Sequence, residues 1–260
     1  MLPGSIWEDI DLKRRSVIAG MASLPALSFL PAAPQAEDAI PDTDSVATSL
    51  GALTIHAVQH ASVVLTFADQ AIYIDPVGGA ALYADLPAPT LILITHAHDD
   101  HFDQFTLEAL AADAPIITNG QVLPRLPAVL KANASALANG ESVEINSIPI
   151  EAIAAYNVTE NRLRYHPEGV GNGYLITIGD SRVYIAGDTE PTPEMLALED
   201  IDLAFLPMNL PFTMSQEQAA EAINAFQPKI VYPYHYSQAR LDALQAGVGD
   251  HSRIRILKWY

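Results

Sequence analysis

Side chains that could bind a metal are most concentrated in residues 95–101 (THAHDDH). Three of the eight histidines and two carboxylates fall within six residues there. The run follows residues 90–95 (TLILIT), which are apolar throughout, as in a strand buried on both faces. At a strand end His96 and His98 share a face, because side chains repeat every two residues, and Asp100 and His101 in the next turn face back toward them. Such convergence of imidazoles and carboxylates predicts a divalent metal site, the alternative being an exposed polar loop.

Two further residues follow predicted strands and offer the same chemistry. Asp188 comes after the apolar segment 182–186 and Gly187, and His235 comes after the apolar segment 230–233. Taken alone, an aspartate after glycine is usually a turn residue and a histidine after a strand is usually structural. Beside the cluster at residues 96–101, both become candidates for the same metal site.

Composition excludes several classes of protein. With 13 Lys+Arg against 31 Asp+Glu the net charge is -18, which disfavours a nucleic acid as partner. The absence of cysteine excludes disulfides, thiolate metal sites and cysteine nucleophiles. A length of 260 residues with 50% apolar and 17% charged residues fits one compact domain of the α/β or α+β kind.

Residues 1–36 differ from the rest and resemble an export signal. Lys13, Arg14 and Arg15 precede a stretch without charge that runs to Ala36, a pattern similar to a twin-arginine signal. We take Ala36 as the candidate cleavage site and expect an exported, periplasmic protein. The alternative is an uncleaved signal anchor, which would be the protein's one link to a membrane, although Gly20 and several prolines make a weak spanning helix.

The elements that must position these residues are predicted for a single domain over residues 49–260. Short strands come first in an antiparallel meander, and strands then alternate with helices twice over, so two sheets are expected to pack together with helices outside. Strands are predicted at 53–58, 62–67, 71–75, 90–95, 115–118, 142–145, 148–155, 174–178, 182–186, 202–207, 230–233 and 253–257. Helices are predicted at 105–112, 215–226 and 238–246, with a Pro-interrupted helical segment near 121–132. Ser215, with Gln218 three residues on, is expected to cap the helix at 215–226.

The order His-x-His-x-Asp-His after a strand resembles the signature of the metallo-β-lactamase superfamily. Residues 60–62 (HAS) and 74–76 (IDP) resemble segments of the branch that includes L-ascorbate 6-phosphate lactonase and the N-acylphosphatidylethanolamine phospholipases. Residues 186–189 (AGDT) and 233–236 (PYHY) resemble the later metal-binding segments. The resemblance spans about residues 53–236 and implies an α/β (α+β) fold, the four-layer αβ/βα sandwich, with a two-metal site.

The resemblance also implies a role for each matching residue. His96 and His98 would bind the first metal, Asp100, His101 and His235 the second, and Asp188 would bridge both. His60 would lie near the metals as an indirect or substrate contact. Zinc is the default for such a histidine-rich site, with manganese or iron as alternatives.

The chain departs from the family at the third histidine of the first metal. The expected position holds Asn157, whose amide oxygen is a harder and weaker donor than imidazole. His166, in the following loop, is the other candidate, and it could instead contact the substrate or have a structural role. Either residue could complete the first site.

A two-metal centre implies hydrolysis. Two cations about 3.5–4 Å apart bring the pKa of a bridging water toward neutrality, so hydroxide forms without a nucleophilic side chain. Asp100 would orient that hydroxide or shuttle its proton. We expect a metal-dependent hydrolase of a small ester, lactone or phosphoester, and aromatic residues such as Tyr165 and Phe212 are candidates to line the pocket. The alternative is a non-catalytic metal-binding or sensing protein of the same fold, motivated by the missing histidine.

Overall fold

A computed structural model of the protein describes residues 40–236 and 241–260. The predicted export signal with its cleavage site at Ala36, and the first residues of the helix predicted at 238–246, lie outside the described residues. Within the described ranges, none of the helices combines the length and the apolar composition needed to cross a bilayer.

The first sheet contains seven strands in chain order. The first four form an antiparallel meander and the last three run parallel to β4, so the strand ends that follow β4, β5 and β6 meet at one edge. The strands are β1 (Thr43–Thr48), β2 (Gly51–Gln59), β3 (Ser62–Phe67), β4 (Gln70–Ile74), β5 (Leu91–Leu93), β6 (Ile116–Thr118) and β7 (Ala134–Ala136).

The second sheet repeats this plan. Its order is β14-β13-β12-β11-β10-β9-β8, antiparallel from β8 to β11 and parallel from β11 to β14. The strands are β8 (Ser142–Ile145), β9 (Ile148–Ala155), β10 (Gly171–Ile178), β11 (Ser181–Ile185), β12 (Leu203–Pro207), β13 (Ile230–Tyr234) and β14 (Arg253–Ile254).

The helices are short and cover the outer faces of the sheets. They are α1 (Gln104–Leu110), α2 (Ala128–Lys131), α3 (Pro193–Leu196), α4 (Gln216–Phe226) and α5 (Leu241–Gly247), with single 3-10 turns at Ala80–Tyr83 and Leu123–Arg125. Helix α4 begins with the capping box expected from Ser215 and Gln218, each side chain accepting a hydrogen bond from the other residue's backbone N–H.

Successive side chains of each strand point to opposite faces of its sheet. The buried apolar residues therefore form one central core between the sheets and two outer cores. Ile55 and Leu65 of the first sheet face Ile176 and Phe205 of the second in the central core. Residues of the opposite register pack outward, against α4 in one half and α1 in the other. The layers are therefore helix, sheet, sheet, helix, and the predicted four-layer sandwich is confirmed.

The elements differ from the prediction mainly at the sheet edges. β1 begins at Thr43, upstream of the predicted boundary at residue 49, and pairs along its whole length with β2. The Pro-interrupted helical segment predicted near 121–132 is confirmed, because Pro124 and Pro127 divide it into a 3-10 turn and the single turn of α2. The strand predicted over 253–257 is only Arg253–Ile254, since β14 pairs with β13 at two positions.

Candidate metal centre

The predicted site residues converge at one edge of the sandwich, where parallel strands of both sheets end. Residues 95–101 follow β5 of the first sheet, whereas Asp188 and His235 follow β11 and β13 of the second. Gly187, with φ 64°, makes the turn before Asp188, and a Cβ there would lie 2.8 Å from the carbonyl oxygen of Asn172. Only glycine fits this close approach without a shift of the backbone.

A first group of side chains contains His96, His98, His166 and Asp188, whose ligand atoms all lie within 4.8 Å of one another. His96 Nε2 lies 3.0 Å from His98 Nδ1, and His166 Nε2 lies 3.3 Å from Asp188 Oδ2. Ligand atoms that share a tetrahedral ion at about 2.0–2.1 Å are about 3.3 Å apart. The spacing of this group is therefore that of a metal's coordination shell.

The two candidates for the missing histidine occupy different places. His166 belongs to the first group. Asn157 lies behind it, and its Oδ1 accepts a hydrogen bond from His166 Nδ1 at 3.1 Å, as does the carbonyl oxygen of Phe212 at 3.1 Å. With two acceptors facing it, Nδ1 carries the proton, so the lone pair of Nε2 points toward Asp188.

A second group contains His60, Asp100, His101 and His235, again within 4.8 Å. Asp188 lies between the groups, because its Oδ1 is 3.3 Å from His101 Nε2 while its Oδ2 is 3.3 Å from His235 Nε2 and faces the first group. One carboxylate thus faces both groups, which is the position required of a bridging ligand. The predicted ligands and the candidates His60 and His166 are all brought together here.

The buried atoms at the centre lack partners within the protein. His101 Nε2, His166 Nε2, Asp188 Oδ1 and both ring nitrogens of His235 are buried without a hydrogen bond. Leaving so many polar atoms buried and unpaired is costly unless something binds them. Imidazole nitrogens and a carboxylate with inward lone pairs are the donors that zinc and similar ions prefer, so each group fits a divalent cation.

The protonation states of His96, Asp188 and Asp100 suit metal binding. Burial keeps the pKa of His96 well below its ordinary value, which leaves its ring neutral. Burial acts to raise the pKa of Asp188, but the neighbouring imidazoles of His235 and His101 hold it well below the usual range. Burial also acts to raise the pKa of Asp100, but the close imidazoles of His235 and His60 prevail and lower it. Both carboxylates are therefore ionised at neutral pH.

Asp75 orients the histidines and was not among the predicted site residues. It is fully buried, and its Oδ2 accepts hydrogen bonds from His101 Nδ1 at 2.7 Å and from Thr95 Oγ1 at 2.6 Å. Thr95 Oγ1 then accepts from His96 Nδ1 at 3.0 Å, so one carboxylate turns the Nε2 lone pairs of two rings inward. The signal was present in residues 74–76, which carried the resemblance but received no role.

Two cavities adjoin the centre, one beside each group. A groove of about 1060 Å³ has His60 and Asp100 of the second group on its lining. A chamber of about 50 Å³ is bounded by His96, His98, His166 and Asp188 of the first group, together with Tyr165 among other residues. Tyr165 is in edge contact with Phe212, with ring centroids 5.0 Å apart. The centre is thus accessible to a small molecule.

Residues 54–235 match the family model described as the β-lactamase superfamily domain. A UPF0173 metal-dependent hydrolase of Thermococcus onnurineus is 31% identical over 179 residues, which are 65% of this chain and 78% of the relative. A second, from Salinibacter ruber, is 32% identical over 157 residues, 57% of this chain and 67% of the relative.

Solved structures agree with the sequence comparisons. A protein described as a candidate metal-dependent hydrolase from Parabacteroides distasonis superposes with a TM-score of 0.76 at 41% identity, over 83% of this chain and 99% of that one. A metallo hydrolase from Ignicoccus hospitalis superposes with a TM-score of 0.65 over 79% of this chain and 95% of that one. At 21% identity the second likeness concerns the fold alone.

Proposed function

Because the chain belongs to the β-lactamase superfamily, and within it to the UPF0173 metal-dependent hydrolases, we propose that it is a two-metal hydrolase of small esters, lactones or phosphoesters. The observation that carries the proposal is the position of Asp188, whose two oxygens face two groups of histidines with unpaired, buried nitrogens. The finer placement beside L-ascorbate 6-phosphate lactonase and the N-acylphosphatidylethanolamine phospholipases stays a prediction.

The proposal gives each residue at the centre a role. His96, His98 and His166 would hold one cation, and Asp100, His101 and His235 the other, with Asp188 shared. Zinc is the ion that this donor set favours first, with manganese or iron as alternatives. When bound, such a cation pair lowers the pKa of water and polarises the substrate oxygen.

The chain's own side chains direct the reaction. Asp100 is half exposed on the lining of the groove and ionised, so it can accept a hydrogen bond from the attacking water and orient it. His60 Nε2 lies 3.1 Å from Asp100 Oδ2 and fixes that carboxylate. The water oxygen bonds to the acyl carbon or phosphorus, the bond to the leaving oxygen breaks, and a proton from water ends on the leaving group.

The non-catalytic alternative was motivated by the missing third histidine. The distance of 3.3 Å between His166 Nε2 and Asp188 Oδ2 supports a complete first site and so favours the hydrolase. Export to the periplasm is supported by the twin-arginine-like segment at residues 13–15. The net charge of -18 supports a small-molecule substrate over a nucleic acid.

The test combines metal content with activity. We expect the wild-type protein to carry about two metal ions per chain and to hydrolyse members of an ester, lactone and phosphodiester panel. His101→Ala should lose metal and reduce hydrolysis by orders of magnitude, whereas His251→Ala, at an exposed histidine outside both groups, should change neither. Wild-type metal content and activity in His101→Ala would contradict the proposal.

A further inference from the structure

His235 differs from the other histidines of the centre in how its ring is held. Hydrogen bonds at Nδ1 orient the rings of His101 and His166. Within the described part of the chain, Nδ1 of the buried His235 has no such partner. Its ring instead packs against the ring of His60, with centroids 3.9 Å apart. The orientation of His235 therefore depends on what holds His60.

The backbones of these two histidines are joined to each other and to Trp259. His60 and His235 have φ values of 52° and 47°, in the left-handed region that is uncommon for residues other than glycine. The N–H of His235 donates to the carbonyl oxygen of His60 at 3.0 Å, and the N–H of His60 donates to that of Trp259 at 3.1 Å. Trp259 is buried, and its indole N–H donates to the carbonyl oxygen of Pro233 at 2.8 Å. This anchoring places the next residue, Tyr260, beside His60.

The side chain of Tyr260 holds the ring of His60. His60 Nδ1 lies 3.0 Å from Tyr260 Oη, and His60 Nε2 lies 3.1 Å from Asp100 Oδ2. An ionised carboxylate can only accept a hydrogen bond, so Nε2 carries the proton shared with Asp100. Nδ1 of the neutral ring then accepts a hydrogen bond from the hydroxyl of Tyr260. With both nitrogens engaged in this way, His60 has no free lone pair to offer a cation.

We propose that Tyr260 is a positioning residue of the metal centre, and that it acts through His60, which is not itself a metal ligand. The hydroxyl of Tyr260 fixes the ring of His60, which orients Asp100 by a hydrogen bond and His235 by ring contact. The inference rests on the proposed function, because that function makes Asp100 and His235 ligands of the second cation. Tyr260 is 58% exposed, so the loss of its hydroxyl should leave the fold intact.

Metal affinity tests the inference without relying on turnover. Tyr260→Phe keeps the ring and removes only the hydroxyl. We expect its affinity for Zn²⁺, measured by competition against a chelator, to fall about tenfold, the lower end of the range for groups that orient a ligand. Tyr236→Phe is the matched control, because it removes a neighbouring hydroxyl that bonds to the carbonyl oxygen of Leu257 at 3.4 Å. The control should keep wild-type affinity, and circular dichroism monitors the fold of both variants.

A second background shows whether Tyr260 acts through His60. His60→Gln places an amide nitrogen near the position of Nε2, where it can donate to Asp100, but leaves no acceptor at the position of Nδ1. In this background Tyr260→Phe should cause no further loss of Zn²⁺ affinity, whereas independent effects would multiply. An equal fold-change in both backgrounds, or wild-type affinity in Tyr260→Phe alone, overturns the inference.

Turnover separates this inference from the proposed function. At saturating Zn²⁺, and with the best substrate of the ester, lactone and phosphodiester panel, Tyr260→Phe should lower kcat about tenfold and change KM by less than about twofold. A change confined to KM would make Tyr260 a substrate contact and overturn the positioning role. Wild-type protein that binds Zn²⁺ but hydrolyses no member of the panel overturns the proposed function instead, and the comparison of Zn²⁺ affinities still decides the role of Tyr260.

Discussion

Histidines at the centre are oriented by hydrogen bonds at the ring nitrogen that faces away from it. His101 bonds to Asp75, His96 to Thr95 and His166 to Asn157. Each bond is made by the nitrogen remote from the centre and leaves the other ring nitrogen directed inward, which lowers the cost of assembling a coordination shell. The metal-binding capacity of the centre therefore depends on residues that would never contact a metal.

Asp75 is the residue on which this orientation depends most. Asp75→Asn replaces the carboxyl group shared by His101 and Thr95 with an amide. We expect metal affinity to fall about 10–100-fold, with hydrolysis falling in parallel. Competition against a chelator measures the affinity, and circular dichroism monitors the fold. Asp69→Asn, at an exposed turn, is the control, and equal affinities of the two variants would remove Asp75 from the supporting role.

Substitutions of His166 and of Asn157 should have different effects on metal binding. His166→Ala removes a first-group nitrogen and should lower the metal bound per chain. Asn157→Ala removes one of the two acceptors of His166 Nδ1, together with the donor bonds of the Asn157 amide to the carbonyl oxygens of Arg162 and Phe212. It should keep the stoichiometry while weakening affinity about 10–100-fold. Elemental analysis after dialysis distinguishes the two. Loss of metal in Asn157→Ala with full retention in His166→Ala would make the asparagine the ligand.

At the scale of secondary-structure elements, the sequence predicted the strands and helices whose positions depend on neighbouring residues. Segments rich in β-branched residues and bounded by polar turns predicted β2, β3 and β4, and the pairing of Ser215 with Gln218 predicted the start of α4. β7 has only three residues and no distinctive pattern, so nothing local indicated it. The ligand run at residues 95–101 was predictable because neighbouring residues supply it, and its strand fixes their direction.

The contact of His166 with the centre was not predictable, because tertiary contacts shape its loop. Buried Glu190 accepts hydrogen bonds from the backbone N–H groups of Val158 and Thr159 at 2.8 Å and 2.7 Å, and it forms an ion pair with Arg162. These contacts join residues about thirty positions apart. The sequence alone therefore left Asn157 and His166 as equal candidates for the third ligand of the first metal site.

Strand β1 is tied to the opposite sheet through Asp44. Its carboxylate accepts hydrogen bonds from Tyr232 of β13 and from Arg255, each at 2.8 Å. Burial acts to raise the pKa of Asp44, but these bonds prevail and lower it. A lowered pKa in the folded state means that the carboxylate stabilises the fold above its unfolded value near 3.8, and that this stabilisation is lost as pH falls through the folded value.

Asp44→Asn should therefore destabilise the protein in a pH-dependent way. At pH 7 we expect a loss of about 0.5–1 kcal/mol in the free energy of unfolding, a modest value because the carboxylate is partly exposed. The difference from wild type should shrink below about pH 4. Urea unfolding at both pH values measures it, with Asp113→Asn at an exposed position as control. A deficit independent of pH would mean that the charge of Asp44 is not involved.

At the scale of the whole molecule, the centre joins the two halves of the sandwich. The first sheet supplies residues 96–101, and the second supplies His166, Asp188 and His235. Cations bound between them would crosslink two layers that otherwise meet through the apolar core. They would also offset part of the repulsion in a chain with a net charge of -18.

Metal removal should therefore lower thermal stability as well as abolish activity. Free metal at about 100 times its dissociation constant contributes about 2.7 kcal/mol, and about 1 kcal/mol shifts the Tm of a domain of this size by about 2–4 °C. Calorimetry with and without a chelator should then show a fall of about 5–10 °C in Tm. The fall should be smaller in His101→Ala, which has less metal to lose, and unchanged in His251→Ala. A Tm indifferent to the chelator in a protein shown to carry metal would mean that the two sheets hold together without the crosslink.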